Sequence, residues 1–227
     1  RTLHLGNGAI QSAMRISRPW DLELAYTRAM MAYLLFHDSP DRVWMIGLGG
    51  GSLAKFIRKF RPQTQITAVE IDERIIAAAR AHFELPPDDE SLQVVHGDGA
   101  AYVAGHPAST DVILLDGFDH GNQVEALATE AFYTACRSAL RPQGVLVVNL
   151  WGSDRQFTEY FERLLRAFDG EVCWLSVMGK TNIVVFAFAE PGAREKLTAR
   201  MPLLSQFTQH YGLDFDRFAR ELQWPVT

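Results

Sequence analysis

Val43 to Asp72 reads VWMIGLGGGSLAKFIRKFRPQTQITAVEID, and its order of residue types decides the fold. Val43, Trp44, Met45 and Ile46 form an apolar run ending at Gly47, with Gly49 and Gly51 following at alternate positions. Leu53, Phe56, Ile57 and Phe60 then recur at helical spacing. A second apolar run, Ile66 to Val69, ends in Glu70. Strand, glycine turn, helix, strand and acid make the sequence form of a nucleotide-binding βαβ unit. Glycine lets the turn take positive φ and lets backbone approach a ligand. The helix start offers unpaired N–H groups and a positive dipole end. Glu70 stands about 20 residues past the turn, where an acid reaches ribose hydroxyls. The alternative is a tight βα turn that binds nothing, with an ordinary acid at a strand end.

Working outward, strands are expected near 43–47, 65–70, 92–96, 111–116, 144–150, 171–177 and 182–189. Helices are expected near 51–60, 72–83, 98–104, 127–140 and 154–168. Near-continuous apolar strands alternating with helices imply a parallel sheet covered on both faces. The Met178–Gly179–Lys180 link is too short for a helical crossover, so the last pair must be antiparallel. The fold class is thus α/β, a seven-stranded, mostly parallel sheet with an antiparallel last strand. It resembles the Rossmann-like fold of S-adenosylmethionine-dependent enzymes. Residues 1–20 read as an N-terminal β-hairpin segment around Gly6–Asn7–Gly8, with Leu5 and Ala9 in its arms. A helix near Leu22–Phe36 follows. Residues 21–190 are expected to form a Rossmann-like nucleoside-binding domain carrying any catalytic site, and 191–227 a helical extension of it. Phe207, Tyr211, Phe215, Phe218 and Trp224 in that tail could form a subunit interface, but their helical spacing reads more readily as packing on their own core.

At 227 residues, 48% hydrophobic and 22% charged, the chain has the composition of one globular α/β domain with a small appendage. A net charge of −5 argues against a nucleic-acid partner and suits a cationic small substrate. Cys136 and Cys173 lie in apolar contexts and read as buried thiols. The His residues show no metal-ligand spacing, so no metal is expected. With no signal peptide and no spanning apolar run, a cytoplasmic protein with no membrane partner is expected. The chain starts at Arg1 rather than Met, which points to further natural sequence ahead of it.

Ligands of such a sheet sit beyond the carboxyl ends of its strands. The third strand delivers Asp98, which can accept from an adenine amino group or cap the next helix. The fourth delivers Asp116–Gly117–Phe118–Asp119–His120–Gly121. Two carboxylates in one turn can hold an ammonium and accept a proton as an amine attacks; a turn Asp with a helix cap is the plainer reading.

The stretches GNGAIQSAMR, IGLGGGSLAKFI, AVEIDERII, HGDGAAYV, VILLDGFD and LATEAFYTACRSALRPQGVLVVNLW resemble spermidine synthase and related polyamine aminopropyltransferases. TNIVVFAFA matches more loosely, and the likeness spans roughly residues 3 to 189. The resemblance implies binding of decarboxylated S-adenosylmethionine, displacement at its aminopropyl carbon by an amine nitrogen, and release of methylthioadenosine. It implies a homodimer, since the family commonly dimerises. It also implies a ligand site built from Gln11, Gly47, Gly49, Gly50, Gly51, Glu70 with Ile71, and Asp98 with Gly99. Asp116 matches the catalytic base, Asp119 the second aspartate of that loop, and Tyr26 a substrate-site tyrosine. There are departures. Gly50 stands where the family has the Asp that holds the aminopropyl ammonium, Arg28 replaces an acid, and the family's Tyr-Pro-Ser-Gly segment is absent. Two further readings follow: a methyltransferase using intact S-adenosylmethionine, and a non-catalytic nucleoside-binding module.

Overall fold

The computed structural model describes residues 1–4, 10–119, 122–177, 179 and 181–225. The expected Gly6–Asn7–Gly8 turn with Leu5 and Ala9, and also Met178, Lys180, His120 and Gly121, lie outside the described residues. The N-terminal arms β1 (Thr2–His4) and β2 (Ile10–Ala13) pair antiparallel. The expected helix near Leu22–Phe36 is the short α1 (Ala25–Met30), continued by a 3-10 turn over Met31–Leu35.

The central sheet holds β3 (Arg42–Ile46), β4 (Gln65–Glu70), β5 (Leu92–His96), β6 (Thr110–Leu115), β9 (Leu140–Trp151), β10 (Val172–Ser176) and β11 (Asn182–Phe188), in the order β10-β11-β9-β6-β3-β4-β5. β11 runs antiparallel to both neighbours, between β9 and β10, and the other pairs are parallel. The loop after β6 contains a small hairpin that the sequence reading had as a plain turn. Its arms are β7 (Phe118–Asp119) and β8 (Asn122–Gln123). The helices are α2 (Ser52–Phe60), α3 (Glu73–His82), α4 (Gly99–Ala104), α5 (Glu130–Ala139), α6 (Phe157–Ala167), α7 (Ala193–Arg200), α8 (Leu204–Tyr211) and α9 (Phe215–Glu221).

The strands' period-2 alternation feeds two cores. Val43, Met45, Val112, Leu114, Val145 and Val147 face the side carrying α1, α2 and the C-terminal helices. Trp44, Ile46, Ile113, Leu115, Leu146 and Val148 face α4, α5 and α6. Burial on both faces explains why these strands read as unbroken apolar runs. Tyr211, Phe215 and Phe218 belong to the first core, with Phe207 and Trp224 packed against it. Phe36 stacks edge-on to Phe188 at 4.8 Å and reaches Trp224 at 6.3 Å. The aromatic tail is thus core of its own chain.

Cys136 in α5 and Cys173 in β10 are buried free thiols whose ionisation burial disfavours. Among the described residues, no helix is long and apolar enough to cross a membrane.

Lys55 interrupts the buried face of α2 with an ammonium at 0% exposure. Its Nζ donates to the Phe83 carbonyl and lies 3.4 Å from the Met14 sulfur. Burial lowers its pKa to about 8. Between that value and the unfolded 10.5 the unfolded chain binds the extra proton, so stability rises with pH across this window, by at most about 3 kcal/mol. In Lys55→Met that rise should vanish and the protein should gain stability near pH 7. Urea denaturation of both proteins at pH 7.5 and pH 10 measures it; a Lys55→Met destabilised equally at both pH values would contradict it.

Candidate active site

The strand order places four sequence features side by side at the carboxyl ends. They are Asp116 after β6, the glycine loop after β3, Glu70 ending β4 and Asp98 after β5. Three inter-strand spacings of about 4.8 Å give a row of roughly 14 Å, the scale of an extended nucleoside with a short arm.

Within the glycine loop, Gly47, Gly49 and Gly51 take φ of +94°, +52° and +67°. Gly47 also has no room for a side chain, since a Cβ there would fall on the Asp116 carbonyl oxygen. The loop's amides are mostly engaged within the protein. Gly47 N–H donates to Val69 O at 2.9 Å, Gly51 N–H to Leu48 O at 2.9 Å and Gly50 N–H to Ser12 Oγ at 2.8 Å. Gly50 has an ordinary φ, yet a Cβ would meet Phe83 Cδ1 at 2.7 Å and Ser12 Cβ at 3.1 Å. Its amide and its missing side chain both face the N-terminal arm and Phe83.

Glu70 is held across this loop. Oε2 accepts from Leu48 N–H at 2.9 Å and Oε1 from Asp72 N–H at 3.0 Å. Each carboxylate oxygen retains a lone pair for an outside donor. Ile71 beside it is 69% exposed, an apolar surface next to the acid. Asp98 is an exposed N-cap of α4; Oδ1 accepts from Ala100 N–H at 2.7 Å and Ala101 N–H at 3.3 Å. Capping and ligand binding are compatible, because Oδ2 makes neither bond. Gly99 is the first residue of α4.

Asp116 is the most constrained acid. Tyr26 Oη donates to its Oδ2 at 2.9 Å and Asn149 Nδ2 to its Oδ1 at 2.9 Å. Tyr26 Oη lies also 3.2 Å from the Gln11 carbonyl, so the backbone of Gln11 reaches this cluster. Asn149 is fixed in turn by Asn182 Nδ2, which donates to its Oδ1 at 3.0 Å. Burial raises the Asp116 pKa, the hydrogen bonds from Asn149 and Tyr26 oppose the shift, and the Glu70 charge adds to it. Burial, then the Asp116 charge, raises the Tyr26 hydroxyl well above 10, so it remains a donor. Asp116 is therefore a carboxylate with two lone pairs taken and the rest free for an amine, and it holds a proton more readily than a surface Asp.

Asp119 lies in β7, its side chain outside the described set. Arg28 is exposed on α1, its Nε donating to Leu22 O at 2.7 Å. Asn149 and Asn182 are functional candidates that the sequence reading missed. The available signal was one amide inside the apolar run Val145–Leu150, since a polar side chain 2% exposed needs a partner.

Asn149→Leu, which keeps the γ-branched shape but cannot donate, should cost roughly tenfold in kcat/KM through one lost charge-assisted hydrogen bond. It should also move the acid limb of the pH–rate profile to higher pH, because a bond that favours ionised Asp116 is gone. An unchanged limb in the profile would show that Asn149 does not set the Asp116 proton affinity.

Comparison with known proteins follows the same lines. The family model described as spermine/spermidine synthase domain matches residues 23–166. The polyamine aminopropyltransferase of Chromobacterium violaceum is 42% identical over 223 residues, 98% of this chain and 85% of that protein. That of Neisseria meningitidis serogroup B is 40% identical over 224 residues, again 98% and 85%. In fold the chain is similar to a probable spermidine synthase from Corynebacterium glutamicum, with TM-score 0.75 and 21% identity over 97% of this chain and 86% of that one. It is also similar to human methyltransferase-like protein 13, solved in complex with SAH, with TM-score 0.70 and 26% identity over 90% and 95%.

Proposed function

Because this chain belongs to the spermine/spermidine synthase family, we propose that it is a transferase moving the aminopropyl group of decarboxylated S-adenosylmethionine to a small amine. The observation that carries this reading is Asp116, held by Tyr26 and Asn149 at the end of a row that also presents Glu70 and Asp98. Glu70 accepts from the ribose hydroxyls, Ile71 packs on the base, and Asp98 Oδ2 accepts from the adenine amino group. The glycine loop lets the sulfonium arm run close to backbone toward Asp116.

The acceptor arrives largely as an ammonium, with a pKa near that of lysine, about 10.4. Asp116 binds it and takes a proton, leaving the nitrogen lone pair free. That pair forms the new N–C bond as the C–S bond breaks, and the electrons leave with sulfur as neutral methylthioadenosine. Its raised pKa makes Asp116 a better proton acceptor, and Tyr26 and Asn149 hold its orientation. Asp119 supplies the second amine contact. Two buried free thiols suit a reducing cytoplasm as the location.

Methyl transfer from intact S-adenosylmethionine is the second reading, favoured by the likeness to human methyltransferase-like protein 13, solved in complex with SAH. Calorimetric titration with the two nucleosides tests the first reading: tighter binding of the decarboxylated form is expected, and a preference for the intact form would overturn it.

Gly50→Asp should not restore a family-like ammonium contact. The new side chain would press on Phe83 and Ser12 and bury a carboxylate, for a loss of about 2–4 kcal/mol. A variant of unchanged melting temperature and tighter donor binding would contradict that geometry.

A further inference from the structure

A cleft of about 310 Å³ lies at the opposite end of the sheet from the glycine loop, where no step of the proposed reaction takes place. Its walls come from His37 and Asp38 ahead of β3, Gln143 near the start of β9, and Lys196 and Arg200 on α7. We propose that it binds a small metabolite through a multivalent oxyanion, either a phosphate group or paired carboxylates.

Two observations support this. First, Lys196 and Arg200 are four residues apart on α7, so both side chains rise from one helix face into the cleft. Against the one lining acid, Asp38, they leave one positive charge in the lining itself, with Glu190 acting on Lys196 and Asp111 and Asp41 on His37 from outside it. Arg200 holds Asp38 at 2.7 Å, and a guanidinium has five donors, so it can hold a second anion as well. Second, Lys196 and His37 make no side-chain hydrogen bond or ion pair among the described residues, although both are half-buried and line the cavity. The acid nearest in influence to His37, Asp111, is committed to the Arg42 N–H at 2.8 Å and to Arg141 at 3.4 Å.

Arg200 also lies over the Phe207 ring at 5.8 Å, which supports one side of its guanidinium. The volume is at the small end of ligand cavities, which fits a compact metabolite.

Titration calorimetry of the full chain with pyrophosphate and with citrate, at constant ionic strength set by chloride, tests the proposal. At least one of the two should bind in the millimolar range or tighter, and which one does identifies the oxyanion source. Lys196→Glu should weaken binding tenfold or more. Lys196→Gln, which adds no repulsion, should weaken it several-fold and covers the case of a poorly folded Glu variant. Asp116→Asn should leave it unchanged, since that residue belongs to the other end of the sheet. Binding no stronger than that of chloride, or binding indifferent to both Lys196 variants, would overturn the proposal.

Discussion

Asp116→Asn should lower kcat by about 10²–10⁴-fold while donor-nucleoside affinity stays within a few-fold of the parent. The substitution keeps the shape, and Tyr26 and Asn149 can still pack around it. It removes the negative charge that binds the ammonium and the site that takes the proton. The ligand contacts assigned to Glu70, Ile71 and Asp98 are untouched. Stopped-flow turnover together with calorimetry of the donor separates the two effects. The expected pattern is a collapse of turnover with retained binding. Turnover within a few-fold of the parent would remove Asp116 from the chemistry. A parallel loss of donor affinity would make it a structural residue.

The second large effect is expected at Gly47. It combines φ of +94° with a Cβ direction that ends on the Asp116 carbonyl oxygen. No rotamer relieves a clash between two backbones, so Gly47→Ala must push β3 and β6 apart where they deliver the loop and the base. Positive φ adds about 1–3 kcal/mol of strain, and the displacement adds more, for a total loss of roughly 3–5 kcal/mol. Thermal or urea denaturation measures it, and any folded fraction should turn over poorly because Asp116 has moved. A melting temperature within a degree or two of the parent would show that the loop has slack that the geometry denies it.

The contrast between Gly47 and Gly50 shows where sequence reading succeeds and where it stops. Strand, turn, helix and acid were legible from Val43 to Glu70 because burial on both faces makes strands uniformly apolar and the turn demands glycine. The row of Glu70, Asp98 and Asp116 followed from strand ends alone. Which way each glycine faces did not follow. Gly50 stands where the resemblance implies a carboxylate, and here Phe83 and Ser12 occupy the space a side chain would need. Ser12 comes from an arm 38 residues away, a contact that local pattern does not encode.

Asn149 and Asn182 were overlooked for a related reason. Each sits in a strand identified by its hydrophobic neighbours, and their hydrogen-bonded chain to Asp116 exists only once β11 has been inserted beside β9. Lys55 was hidden in the same way within a helix read for its apolar face. The small hairpin after β6 was obscured by shortness, since two-residue strands have no period to detect. The aromatic tail packs as the core reading expects, although its residues are split between two helices, Tyr211 ending α8 and Phe215 and Phe218 lying in α9.

The most direct test of the account is product analysis. Purified protein is incubated with decarboxylated S-adenosylmethionine or intact S-adenosylmethionine, each with a panel of diamines and polyamines, and the products are identified by mass. The account predicts methylthioadenosine, with an amine extended by one aminopropyl unit, from the decarboxylated donor alone, and neither product from Asp116→Asn. Methylated amine and S-adenosylhomocysteine from the intact donor, with no methylthioadenosine from the other, would contradict it.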